Sequence, residues 1–176
     1  MTCERAKTRI VVLGLGNELI SDDGVGVHAI RRLREMLPGD VPCVAIGTAA
    51  LKAEAFCAQA EVVIAIDAVQ AQGRPGSVYV LDLVDAALPA AESLHNLSLA
   101  GLIALMPLGA RPRGIVVGVE PARVEYGLAL SEPVEAALPY VIRAVRDIVS
   151  AGGRIPPALA ASGRSVGDLA VIEENS

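Results

Sequence analysis

The chain has 176 residues, a length suited to one ordinary domain around a single core. Apolar residues make up 53 % of it but aromatic ones only 2 %, which argues against a stacking surface for single-stranded nucleic acid or sugars. With 15 basic and 20 acidic residues the formal charge is −5, and no Lys/Arg cluster stands out, so neither nucleic acid nor an anionic membrane is expected as a partner.

The three cysteines, Cys3, Cys43 and Cys57, show no CxxC spacing. That pattern fits a reducing cytoplasm better than a disulfide framework or a zinc knuckle. The N-terminus lacks the long apolar stretch of a signal peptide, and no apolar run approaches the roughly 18 residues of a membrane span.

Taken in chain order, Ile10–Leu15 is a continuous, β-branched apolar run, the pattern of a strand buried on both faces. It breaks at Gly14-Leu15-Gly16-Asn17. A helix is predicted from about Gly24, with Ile30, Leu33 and Leu37 as its stripe and Pro38-Gly39 as its stop. A weaker strand, Val41–Ile46, precedes a short Ala-rich helix near Ala49–Ala58. Val62–Ile66 is a second unbroken apolar strand and stops at Asp67; Gln70–Ser77 is a polar turn before a strand at Val78–Leu81. After an irregular stretch to about Glu92, Leu97–Met106 reads as helical, with Asn96 or Ser93 as N-cap. Gly114–Val119 is the last strand.

The final helix starts at Ser131, an N-cap residue, with Glu132 and Glu135 in its first turn. Its stripe is Val134, Leu138, Val141, Val145 and Ile148, with Arg143 and Arg146 towards the far end and Pro139 expected to bend it. From Gly152 the pattern dissolves into a loosely attached tail. Unbroken apolar strands alternating with helices indicate a three-layer α/β fold, a mostly parallel sheet flanked by helices on both faces.

The glycines after the first strand invite a dinucleotide-binding reading, but Leu19 stands where the third glycine belongs, and the second strand ends at Ile46-Gly47 without an acid. No organic cofactor is therefore expected. Asp22 and Asp23 precede the first helix; as single acids they read as cap or helix-dipole residues, and as a pair they suit a cation. Asp67 follows a buried strand, at the sheet edge where ligands bind in parallel sheets, and the loop carrying Asp23 opens on that same edge. Of the two histidines, His28 reads as a solvated helix residue. His95 lies at the predicted start of a helix, where the positive helix end favours the neutral, metal-coordinating imidazole. If Asp23, Asp67 and His95 converge, they form an open O/O/N metal site.

The run from Gly14-Leu15-Gly16-Asn17-Glu18-Leu19 through Ser21-Asp22-Asp23-Gly24-Val25-Gly26 resembles the signature of the nickel–iron hydrogenase maturation endopeptidases. Ile66-Asp67-Ala68-Val69, Ser93-Leu94-His95-Asn96-Leu97-Ser98-Leu99, Gly118-Val119-Glu120-Pro121 and Tyr126-Gly127-Leu128-Ala129-Leu130-Ser131 agree in order, so the similarity covers roughly residues 9–150. The resemblance implies a twisted, mainly parallel sheet in one peptidase domain over residues 1–150, with 151–176 as a tail. It implies an activity, removal of a C-terminal extension from a hydrogenase large-subunit precursor after nickel insertion. It also implies that Asp23, Asp67 and His95 bind the nickel carried by that precursor, which selects Asp23 over Asp22 and leaves Glu18 outside the ligand set.

Asp23 and Asp67 are the candidate general bases of this aspartate-based reading, and the chain is expected to act as a cytoplasmic monomer. The alternative is a catalytically inactive relative that binds metal or precursor as a maturation chaperone. Its support is one departure from the family pattern: many members carry Asp-x-Gly-Thr-x-Gly where this chain has Ala45-Ile46-Gly47-Thr48-Ala49-Ala50.

Overall fold

The computed structural model describes residues 9–83, 99, 101 and 103–160. Five strands form one sheet: β1 (Ile10–Leu15), β2 (Cys43–Gly47), β3 (Val62–Ala68), β4 (Val78–Asp82) and β5 (Arg113–Val119), in the order β2-β1-β3-β5-β4. The first four in that order run parallel, and β4 pairs antiparallel to β5 at the edge. Every residue of β1 is buried, as the unbroken apolar run predicts.

The strict alternation of a strand sorts these residues into two cores. Ile10 and Val12 of β1, with Ile64 and Ile66 of β3, face α1 (Val25–Leu33) and the long helix Glu132–Ser150. Val11, Leu13 and Leu15 face the other way, against Ala53, Cys57, Leu99 and Ile103. This is the expected three-layer arrangement. The short helix α2 (Glu54–Cys57) follows a 3-10 turn at Ala50–Ala53, and the long helix is α3 here.

Several boundaries differ from the sequence reading for identifiable reasons. β2 starts at Cys43 rather than Val41, because the Val41 N–H is spent on the Pro38 carbonyl (2.9 Å) and Pro42 has no N–H to give. The α1 hydrogen-bond pattern tightens after Leu33: the Met36 N–H turns to Leu33 O (2.9 Å), and the helix closes at Leu33, before Pro38 is reached. β3 continues past Asp67 to Ala68, since β5 extends alongside it and pairs Asp67 with Gly118. The long helix runs unbroken from Glu132 through Pro139 to Ser150, with no basic residue in its last turn.

Leu99, Gly101 and residues 103–105 are helical, as expected for Leu97–Met106, while the proposed caps Ser93 and Asn96 lie outside the described residues. Where a loose tail is expected from Gly152, Pro157–Ala160 forms a helical turn, α4, whose Leu159 is buried in the core. Among the described residues no helix is long and apolar enough to cross a membrane.

Candidate active site

From β1 the chain moves through α1 to β2 on one side, then returns to β3 on the other. The loops after β1 and β3 therefore diverge at the carboxyl edge, which is where open α/β sheets bind ligands. Both candidate acids stand there: Asp23 in the 3-10 turn Ser21–Gly24 that leads into α1, and Asp67 at the penultimate position of β3.

Gly16 lies between them. Its φ of +102° is a left-handed conformation open to glycine. A methyl group on Gly16 would overlap the Asp23 carbonyl oxygen and stand 3.5 Å from Asp67 Oδ1. The turn thus wraps directly around both residues. The Asn17 N–H donates to Asp23 Oδ2 at 2.6 Å and the Ala68 N–H to Asp67 Oδ1 at 2.9 Å, which orients each carboxylate. Asp67 is fully buried and Asp23 partly so.

Gly26 and Gly14 set the approach of helix to sheet. A methyl group on Gly26 would overlap the carbonyl oxygens of Leu15 and Ile66, so α1 starts in backbone contact with β1 and β3, immediately beside the acids. The signature run is in this sense a packing device. It lets the turn carrying Asp23 lie on the end of the strand carrying Asp67.

Asp22 has a different task from its neighbour. It is fully buried, and its Oδ1 accepts the Ser131 N–H (2.6 Å). Its Oδ2 accepts the Ser131 hydroxyl (2.8 Å) and the N–H groups of Ala122 (2.8 Å) and Arg123 (2.9 Å). Burial alone would raise its carboxyl, but these bonds, led by that from the Ser131 backbone, hold it below the usual carboxylate range. Ser131 does stand at the start of α3, yet its hydroxyl donates to Asp22 rather than capping the helix. A further tie joins the same segments: the Ser21 N–H donates to Gly127 O (2.7 Å) and the Gly127 N–H to Leu19 O (3.0 Å). Ser21 is held at a left-handed φ of +39°, and its hydroxyl donates to Glu125 O at 2.9 Å.

His95 lies outside the described residues. Among those described, no three His, Cys, Asp or Glu side chains come together as a metal cage. His28 departs from expectation: it is half-buried, and its Nε2 is enclosed without a hydrogen-bond partner. Cys57 is buried, and burial pushes its thiol up to about 11, which disfavours the thiolate.

Two features were missed by the sequence reading. Glu120, just after β5, is buried and accepts from the Ala71 N–H (2.9 Å), the Gly73 N–H (3.2 Å) and the Tyr79 hydroxyl (3.0 Å), closing the turn between β3 and β4. Burial and that carboxylate push the Tyr79 hydroxyl up to about 12. The second is a cleft of about 450 Å³ between α1 and the end of β2, lined among others by Asn17, Glu18, Arg31, Arg34 and Lys52. Glu120 had two sequence signals, a charge directly after an apolar strand and its place in the Gly118-Val119-Glu120-Pro121 segment, but neither showed its task; the cleft had none, because its cations are scattered over 22 positions.

The model of the hydrogenase maturation protease family matches residues 27–148. The chain belongs to this family. It is a peptide hydrolase of hydrogenase maturation, and relatives agree across most of their length. The hydrogenase 2 maturation protease of Escherichia coli is 35 % identical over 150 residues, covering 79 % of this chain and 92 % of that protein. The hydrogenase expression/formation protein HupD of Rhodobacter capsulatus is 35 % identical over 149 residues, 80 % of this chain and 71 % of the relative. The solved structure of the hydrogenase maturating endopeptidase HybD from E. coli superposes with a TM-score of 0.74 at 30 % identity, covering 82 % of this chain and 94 % of that one. In this protease the family's fold is thus built on the parallel sheet whose edge carries Asp23 and Asp67.

Proposed function

We propose that this protease removes the C-terminal extension of a nickel–iron hydrogenase large-subunit precursor, in the cytoplasm and as a monomer, and that it recognises nickel carried by the precursor through Asp23, Asp67 and His95. The observation that carries the reading is the Gly16 turn, which gathers one partly buried and one fully buried carboxylate at the point where the loops after β1 and β3 diverge. Two carboxylates and an imidazole make an open, exchangeable set of ligands, suited to a metal that arrives on another molecule.

The chemistry is addition of water to the scissile carbonyl. The nickel belongs to the substrate and supplies a positive charge beside that bond. Either Asp23 or Asp67 takes the proton from the attacking water, and that proton passes to the departing amine as the C–N bond breaks. The new carboxylate stays on the mature subunit, and the extension leaves with a free amine. Because the metal comes with the substrate, a precursor without nickel is left uncut, and cleavage becomes a checkpoint on metal insertion.

The test is incubation with nickel-loaded and nickel-free precursor. Cutting of the loaded form alone is expected, and equal cutting of both would end the checkpoint model. Binding of the loaded precursor without cutting would assign the chain to the maturation chaperones instead.

A further inference from the structure

The cleft between α1 and the end of β2 shares its rim with the acid pair. Gly16 and Asn17 line it, and these are the residues whose backbone touches Asp23 and Asp67 from the other side. Among the described residues three cations line it against one anion: Arg31, Arg34 and Lys52, with Glu18. Glu18 is paired to Arg31, which leaves Arg34 and Lys52 as the uncompensated charge among the described residues. Arg34 spends its Nε on the Cys43 carbonyl (3.3 Å), and among the described residues its other N–H groups meet no acceptor. The C-terminal end of α1 accounts for the arginines, since helix carbonyls favour cations there. It does not account for Lys52, which comes from the 3-10 turn on the opposite wall. In a chain of net charge −5 this is a local reversal of sign, in a recess within the size range of ligand sites.

We propose that this cleft is the subsite for a carboxylate of the extension, held between Arg34 and Lys52 while the scissile bond lies at Asp23 and Asp67. The proposal rests on reading the acid pair as the place of cleavage. A C-terminal extension always brings one carboxylate, that of its last residue, and acidic side chains bring others. Both present the same group to the guanidinium and the ammonium. The opposite signs of the two halves then set direction: the cationic nickel is drawn to the aspartates and the anionic extension to the cleft, so the precursor lies across the Gly16 turn in one orientation.

Three dye-labelled pentapeptides separate the sources. One carries Glu side chains and an amidated end, one Gln side chains and a free end, and one Gln side chains and an amidated end. Each is titrated without metal into the full-length protein, following anisotropy and the backbone amide shifts of Gly47, Thr48 and Ala49. The expected result is that at least one of the first two binds about tenfold more tightly than the third, weakening as salt rises.

The double variant Arg34→Gln/Lys52→Gln is expected to erase that preference while keeping the melting temperature. Ala45→Asp, which adds a carboxylate to an exposed position of the same wall, gives the same result if the double variant fails to fold. Equal binding of all three peptides, no binding at millimolar concentration, or a preference that survives both changes overturns the proposal. Precursor processing reads the other hypothesis separately: a precursor that is never cut, beside an intact peptide preference, removes the cleavage reading and leaves the carboxylate site.

Discussion

On one side of the turn after β1, towards residues 120–131, Asp22 collects four hydrogen bonds and Ile20 and Gly127 form a short bridge. On the other side, towards β2, the same turn borders an open cleft in which charged side chains carry few internal bonds. Adjacent aspartates thus serve opposite ends: Asp22 spends its charge inside the protein, while Asp23 stands with Asp67 at the sheet edge. The difference teaches that one flank of the turn is locked by long-range hydrogen bonds while the other borders the cleft.

The comparison is broken most severely at the acids. Asp23→Ala or Asp67→Asn is expected to lower precursor cleavage by roughly 10³-fold or more, the scale of losing several kcal/mol of metal-centred stabilisation. Melting curves should show both variants folded, and wild-type turnover in both would remove the site. Next comes the locked flank. Asp22→Ala strands one buried and two part-buried backbone donors and is expected to cost about 2–4 kcal/mol, or roughly 8 °C in melting temperature. Below its transition this variant should cut far better than the Asp23 variant.

Acid sharpens the same contrast. The folded-state pKa of Asp22 is depressed, so its contribution is complete above the ordinary carboxylate pKa and is lost as pH falls through the depressed value. Urea midpoints measured downward from pH 5 should therefore fall in the wild type and fall less steeply in Asp22→Asn; parallel slopes would contradict this account. Gly26→Ala, which forces α1 off the sheet, is expected to cost about 1–3 kcal/mol by overpacking and to reduce cleavage together with stability. The smallest effect belongs to the far side of the sheet: Tyr79→Phe loses one bond to Glu120, about 1 kcal/mol by chemical denaturation, with cleavage unchanged.

The layers of this fold were legible because they depend on periodicity. The runs Ile10–Leu15 and Val62–Ile66 are buried on both faces and could be read as nothing but central strands. The site was legible only in part. Asp23 and Asp67 could be placed on one edge by topology, but the turn that joins them depends on Gly16 approaching a backbone carbonyl, a contact with no sequence period. Asp22 was read through its local helix because local rules are all a single sequence offers; its actual partners lie 100 to 109 residues further on. His28 misled for a similar reason, since one polar residue between buried neighbours does not reveal which wall covers it. His95 lies outside the described residues, so its role rests on the resemblance alone.

The long reach of the Asp22 network bears on how the enzyme is born. Loop closure over about a hundred residues carries an entropic cost that local helices do not, so such a contact belongs among the late events of folding. A nascent chain that has left the ribosome as far as β3 already contains Asp23 and Asp67, but not Ser131, which completes the clamp behind them. The half-made protein therefore holds both acids without the clamp that fixes the turn between them. The turn that carries both neighbouring aspartates is locked only once the start of the last long helix has been made.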